Sequence, residues 1–242
     1  RIGCGTFSGV PSYANLLIVP GQTSASQVTV TANSLTLLNT ANAVQIVRSV
    51  SVTIAITASG ANGLDTGAEA ASTWYHIWII GATDGKQRAG LLSTSSTAPT
   101  LPAGYTFQMR VGAVFNDASS NFDLFYQQGH VVTYDGGADD HRPLSNGTAS
   151  TYTDVDLSGD MPSTSRMVQL NVEKASGTDC SIAVRTNGSG ATNSFYAGGV
   201  ISGAAPHRVH FRIATDSAQV IEYHNSDGCA VIIDIMGYED NL

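Results

Sequence analysis

Positive charge is scarce in this chain. It has two lysines, Lys86 and Lys174, no basic cluster and a formal net charge of −8. Binding to nucleic-acid phosphates relies on clustered Lys and Arg, so nucleic acid is set aside as a partner. Long apolar runs are also missing. The longest, Ile77 to Ile80, falls far short of the ~18 residues of a membrane span, so no membrane insertion is expected. The first residue is Arg1, and no basic-then-apolar signal layout follows it, which reads as a processed or trimmed chain or a fragment. Three cysteines, Cys4, Cys180 and Cys229, are too few and too widely spaced for a disulfide framework. Their odd number fits a reducing compartment and buried free thiols. Cys180 and Cys229 both open expected strands, so a bridge between them is the alternative. Helical periodicity is absent, and Ala68-Glu69-Ala70-Ala71 is too short to stand as a helix.

Small polar residues and alternation take the place of charge. Only 12% of residues are charged and 42% are hydrophobic, a balance that suits an all-β protein and argues against disorder. The clearest alternation runs from Ser49 to Thr57, with Val50, Val52, Ile54 and Ile56 on one face. Before it, Val28 and Val30 and then Leu35 and Leu37 read as two strands, with turns at Asn33-Ser34 and at Asn39 to Asn42. Strands are also expected at Trp74 to Ile80, Phe107 to Val114, Phe122 to Gln128 and His130 to Tyr134.

The stretch from Asp135 to Pro143 combines glycines, an acidic pair and a proline, the composition of a domain border. Beyond it, strands recur around Val168–Val172, Ile182–Val184, Phe195-Tyr196, Val200-Ile201, Arg208–Thr215, Val220–His224 and Cys229–Tyr238. The expected fold class is therefore all-β, as two antiparallel β-sandwich or jelly-roll domains, 1–137 and 138–242.

No constellation announces catalysis. Asp139-Asp140-His141 is the densest ionisable cluster, but it lacks the spacing of a calcium loop and reads as solvated linker. His207 and His210 point to opposite faces of one strand, and with His224 they show no zinc-ligand spacing. Glycoside hydrolysis needs two facing carboxylates. The four glutamates, Glu69, Glu173, Glu222 and Glu239, each stand alone, and the aspartates lie mostly in turns. No phosphate loop, dinucleotide fingerprint or nucleophile elbow appears, so no cofactor and no enzymatic activity are expected. The remaining candidates are contact residues. Trp74 and Trp78 share one strand face and suit either ring stacking on a glycan or packing in a core or a subunit seam. Arg208, His210 and Arg212 form an outward row. Asn187, Asn193 and Asn225 sit in polar loops of the kind that carry recognition.

The segment from the aromatic strand Trp74-Tyr75-His76-Ile77-Trp78-Ile79-Ile80, through the turn at Asp84-Gly85 and the run Leu91–Tyr105 (LLSTSSTAPTLPAGY), to the strand Arg110–Val114 (RVGAV) resembles a module of phage and prophage virion proteins, mostly tail fibres and related appendages. The resemblance covers roughly residues 45–135. It implies a structural virion protein, commonly homotrimeric, assembled in the host cytoplasm. Its partners would be copies of itself, other virion proteins and a host-surface glycan or outer-membrane component. The leading expectation is a tail-fibre part that recognises the host. A capsid decoration or head-fibre protein and a polysaccharide-degrading tailspike fragment are the alternatives. A trimer would also account for the aromatic strand, which is apolar on both faces: one face would meet the core and the other a neighbouring subunit.

Overall fold

The computed structural model describes residues 12–21, 25–136, 141–176, 181–190, 207–225 and 228–242. Among them every regular element is a strand, which bears out the all-β class. No helix of the described residues is long and apolar enough to cross a membrane. The chain divides into two compact units, 1–130 with Leu242, and 131–241.

The first unit contains β1 (Ser12–Ala14), β2 (Leu17–Pro20), β3 (Gln27–Leu38), β4 (Val44–Ala55), β5 (Gly63–Leu64), β6 (Thr73–Ala82), β7 (Arg88–Ser93), β8 (Tyr105–Asn116) and β9 (Phe125–Gln128). On one edge β3 pairs with β4 along its whole length. On the other edge it pairs with β1 and β2, and β2 continues to β9. A second group runs β8-β6-β7-β5 and joins the first at the Leu38–Gln108 pair. The two groups meet through their apolar rows. Ile18, Val28, Val30, Ile54, Ile77, Ile79 and Leu92 are all fully buried. Burial on this scale stabilises by roughly 1.5–3 kcal/mol for each such side chain. At Gly90 in β7 the contact is so close that a Cβ would lie 2.2 Å from Ile54.

The two strands expected around Asn33-Ser34 are one. Val28, Val30 and Ala32 point inward, then Leu35 and Leu37 do, so the pleat reverses phase between Ala32 and Leu35. β4 reverses at the same level, from Val50 to Val47, with Ser49 in the left-handed region at φ 49°. Pairing stays in register through the reversal, from Val28–Ile54 to Leu38–Val44. The Arg88 guanidinium donates to the Ser49 carbonyl at 2.9 Å and clamps the kink. The Asn39–Asn42 turn forms as expected, the Asn39 Oδ1 accepting from the N–H groups of Ala41 and Ala43. So does the turn at Asp84-Gly85, where Gly85 has φ 72°.

The second apolar face of β6 is covered by its own chain. Trp78, Ile80, Ala89 and Leu91 form a cluster against which Leu101 and Tyr105 pack. The 94–104 segment is bolted down by Asp65, whose Oδ2 accepts from the Ser93 hydroxyl at 2.7 Å and from the Thr100 N–H at 3.0 Å. The Trp78 indole N–H donates to the Ser95 carbonyl at 3.2 Å. The two-faced strand therefore needs no neighbouring subunit to bury it.

The second unit contains β10 (Val131–Tyr134), β11 (Leu144–Gly147), β12 (Thr153–Asp156), β13 (Ser165–Ser176), β14 (Ile182–Thr186), β15 (His207–Ala214), β16 (Val220–Asn225) and β17 (Ala230–Asp240). β17 pairs with β13 on one edge and with β10 and β11 on the other, and β15 extends the sheet beyond β13. A three-stranded sheet, β12-β16-β14, completes the unit. Val168, Leu170, Val172, Ile233 and Ile235 on the larger sheet, and Val155, Val184 and Ile221 on the smaller, are buried. The unit border falls at His130/Val131, ahead of the expected break at 137/138, because Val131–Thr133 pairs with Gly237–Glu239 and so belongs to the second sheet. Residues 137–140 of the expected linker, and the expected strands at 195–196 and 200–201, lie outside the described residues. The free-thiol expectation is corrected at Cys229, which is disulfide-bonded, with its partner outside the described residues.

At Gly237 a Cβ would lie 2.0 Å from the Val132 carbonyl oxygen, a backbone atom that cannot move aside without breaking the β10–β17 pairing. Gly237→Ala is expected to lower unfolding stability by about 1–3 kcal/mol. Gly159→Ala, where a Cβ meets open space, should stay within about 0.5 kcal/mol of the wild type. Urea unfolding of both variants checks the pair, and equal midpoints would contradict the close approach.

Candidate functional site

The outer face of the β15-β13-β17 sheet is the most chemically dense surface among the described residues. Alternation dictates it. While Val168, Leu170 and Val172 of β13 point to the core, Gln169, Asn171 and Glu173 point the other way. Register then sets their neighbours. Arg208 stands opposite Glu173, His210 opposite Asn171, and Arg212 opposite Gln169, with Asp234 across from Asn171 on the other side. The outward row expected of Arg208, His210 and Arg212 is present, and all three are exposed.

Asp234 is 4% exposed, and a carboxylate at that depth must be bonded on both oxygens. Arg142 Nε donates to its Oδ1 at 2.7 Å and Asn171 Nδ2 to its Oδ2 at 2.9 Å. Arg208 Nε donates to Glu173 Oε2 at 2.8 Å, and Arg212 pairs with Glu239. His141, expected as part of a solvated linker, is instead buried. It stacks on Tyr134 with centroids 3.6 Å apart, and its Nδ1 lies 3.2 Å from Asp160 Oδ1. A carboxylate can only accept, so Nδ1 carries the proton in this contact. Tyr134 in turn donates its hydroxyl to the Asp160 carbonyl at 2.6 Å.

Between these side chains lies a cavity of about 200 Å³. Tyr134 and His141 line it together with Asn171 and Asp234, and Arg208, His210 and Met236 are also in the lining. That volume is below the roughly 300 Å³ at which drug-sized ligands begin. The cavity combines one guanidinium, two imidazoles, a phenol, an amide, a carboxylate already bonded on both oxygens and an apolar edge at Met236, so it can bind a small polar group. Neither Arg142 nor Asn171 was singled out in the sequence. Only their joint contact with Asp234, 63 residues beyond Asn171, reveals them.

The other expected contact residues are scattered. Trp74 is half-buried against Phe115, at a centroid distance of 5.2 Å. Trp78 is 5% exposed and sits in the β6–β7 cluster, its edge lining a pocket with Met109 and Thr97. Trp78 is thus packed in the core, whereas Trp74 stays partly exposed. Asn187 is tied to Asp216, its Nδ2 donating to Oδ2 at 2.8 Å. Asn225 is fully buried and donates to the Cys229 carbonyl. Asn193 lies outside the described residues, as do Asp139 and Asp140. His224 belongs to the smaller sheet, beside Tyr152 at 5.4 Å, well apart in the topology from His210. There Arg185 caps the Tyr152 ring at 3.5 Å and pairs with Glu222 at 2.6 Å. Glu173, Glu222 and Glu239 are thus each held by an arginine. No group of three or more potential metal ligands occurs among the described residues.

No family model matches the chain, and neither does any curated protein. The functional reading therefore rests on the residues themselves.

One carboxylate has a shifted affinity for its proton. The Val220 N–H, with the Asn187 amide, the Ala218 N–H and the Arg166 charge, holds Asp216 below its ordinary value of 3.8, against a smaller opposing effect of burial. A folded-state value below the unfolded one contributes stability that is complete above the unfolded value. That stability is lost as pH falls through the folded value. Asp216→Asn should therefore be less stable than the wild type at neutral pH, with the gap closing in acid below the carboxylate range. A gap independent of pH, in urea midpoints taken at both conditions, would refute the assignment. Arg142→Leu leaves Asp234 Oδ1 without its donor and is expected to cost about 2 kcal/mol, a loss the same titration at neutral pH would detect.

Proposed function

We propose that this chain is a structural virion protein of a bacteriophage, a tail-fibre part whose C-terminal unit meets the host surface without performing catalysis. The observation that carries the recognition half is the polar cavity on the outer face of the β15-β13-β17 sheet, whose exposed Arg208 and His210 are held on strands rather than on loops. Rigid presentation of a few polar groups lowers the ordering cost of binding. The virion half is supported by the resemblance of the Trp74–Val114 module to phage appendage proteins. In this reading the two units are sandwiches of the jelly-roll kind, and the assembly is a homotrimer in the virion with other virion proteins as neighbours. The trimer draws its support from the resemblance alone, since β6 is buried within its own chain.

The test is to incubate labelled protein with a panel of bacterial strains and to measure retained label and released reducing sugar together. Strain-selective retention without sugar release is the expected result. Sugar release would make the protein a tailspike depolymerase. The absence of retention on every strain, with binding to purified phage heads, would make it a decoration protein.

A further inference from the structure

We propose that the cavity beneath Arg208 and His210 is a binding site for an acidic sugar unit, a ring that carries a carboxylate beside its hydroxyls. The inference rests on the recognition reading for its biological setting, and on the residues for its chemistry.

The lining sorts into groups that are satisfied and groups that are not. Both oxygens of Asp234 are occupied, by Arg142 and Asn171. Glu173 is occupied by Arg208 Nε, which leaves the terminal nitrogens of that guanidinium, on a side chain that is 56% exposed, for an anion. His210 is exposed and adds a second nitrogen donor at the same rim. A guanidinium with an imidazole beside it suits a carboxylate, which accepts two hydrogen bonds at once.

A simple anion leaves the floor unexplained. Asn171 is 6% exposed and its Oδ1 has no hydrogen-bond partner. Turning the amide over does not cure this, because Nδ2 is required by the Asp234 carboxylate. The floor therefore asks for a donor, while the rim asks for an acceptor. Hydroxyls beside a carboxylate supply both. Asn171 Oδ1 is covered, so the hydroxyl reaches it only as the exposed rim side chains rotate, His210 standing directly opposite Asn171 in the register. Met236, 39% exposed at the cavity edge, offers an apolar surface to the C–H face of the ring.

The experiment titrates the full chain with galacturonate and glucuronate, with galactose and glucose, and with acetate, following the histidine ring resonances and the heat of binding. Uronates are expected to bind and to shift the His210 signals. Neutral sugars and acetate should bind at least about tenfold more weakly, the loss expected when one charge-assisted hydrogen bond or the hydroxyl contact is missing. His210→Gln and Arg208→Gln should each weaken uronate binding about tenfold. His210 has no structural partner to lose, so that variant keeps its fold if Arg208→Gln does not. No uronate binding, or equal binding of uronate and acetate, or of uronate and neutral sugar, would overturn the proposal. The strain panel separates the two failures. If His210→Gln keeps strain-selective retention while uronates do not bind, the recognition reading stands and this cavity is not its carrier. If uronates bind but no strain retains the protein, the cavity stands and the host-recognition reading falls.

Discussion

A carboxylate beneath a sheet surface is stable only when both of its oxygens are bonded, and Asp234 imposes that condition on the second unit. It sits in β17, the strand that holds β13 on one edge and β10 and β11 on the other. To satisfy it, the outward side of β13 must present an amide at Asn171, and the chain entering β11 must bring Arg142 over the sheet. Those two demands turn what alternation alone would make a plain solvated face into a walled one. The stacking of His141 on Tyr134 supplies a wall, and the paired Arg208 and Glu173 complete the side formed by β15. Burying one charge in this way organises the polar groups around it, since each partner of Asp234 is then fixed in direction.

The first unit solves a different problem. A strand as apolar as β6 must be covered twice, and the sheets of the unit cover it only once. The second cover is the segment between β7 and β8, short on regular structure but anchored by Asp65 and by the Trp78 indole. Its prolines and small residues suit a chain that has to lie flat on a sheet, since long side chains beneath it would lift it from Trp78 and Leu91. The Leu91–Tyr105 run thus has a packing role that is independent of any functional setting.

Much of this was legible in the sequence because strand alternation is a local signal. The positions of β13, β15, β16 and β17, the Asn39 and Asp84-Gly85 turns and the outward row Arg208-His210-Arg212 all follow from neighbours a few residues apart. What stayed hidden depends on partners far along the chain. Asn33-Ser34 has turn chemistry, yet the β4 partner keeps the strand running through it. Asn225 has loop chemistry, yet it is buried at the end of β16. Gln127, which looks like a surface glutamine, is fully buried and donates to the carbonyls of Val111 and Gly129. The candidate site was half visible: its exposed rim follows from period two, whereas its floor required knowing that Asn171, Asp234 and Arg142 meet.

At Asn33 and Ser49, β3 and β4 change phase together while their pairing stays in step. A residue gained or lost in only one of these strands would slip the pairing beyond that point and turn Leu35 and Leu37, or Val28 and Val30, away from the core. Matched changes in both strands would be needed to restore it. Without such matched changes the hairpin can vary in length only at its tip, Asn39 to Ala43, where the Asn39 side chain, accepting from the Ala41 and Ala43 N–H groups, works alongside the backbone bonds from Asn39 N–H to the Ala43 carbonyl and from Asn42 N–H to the Asn39 carbonyl.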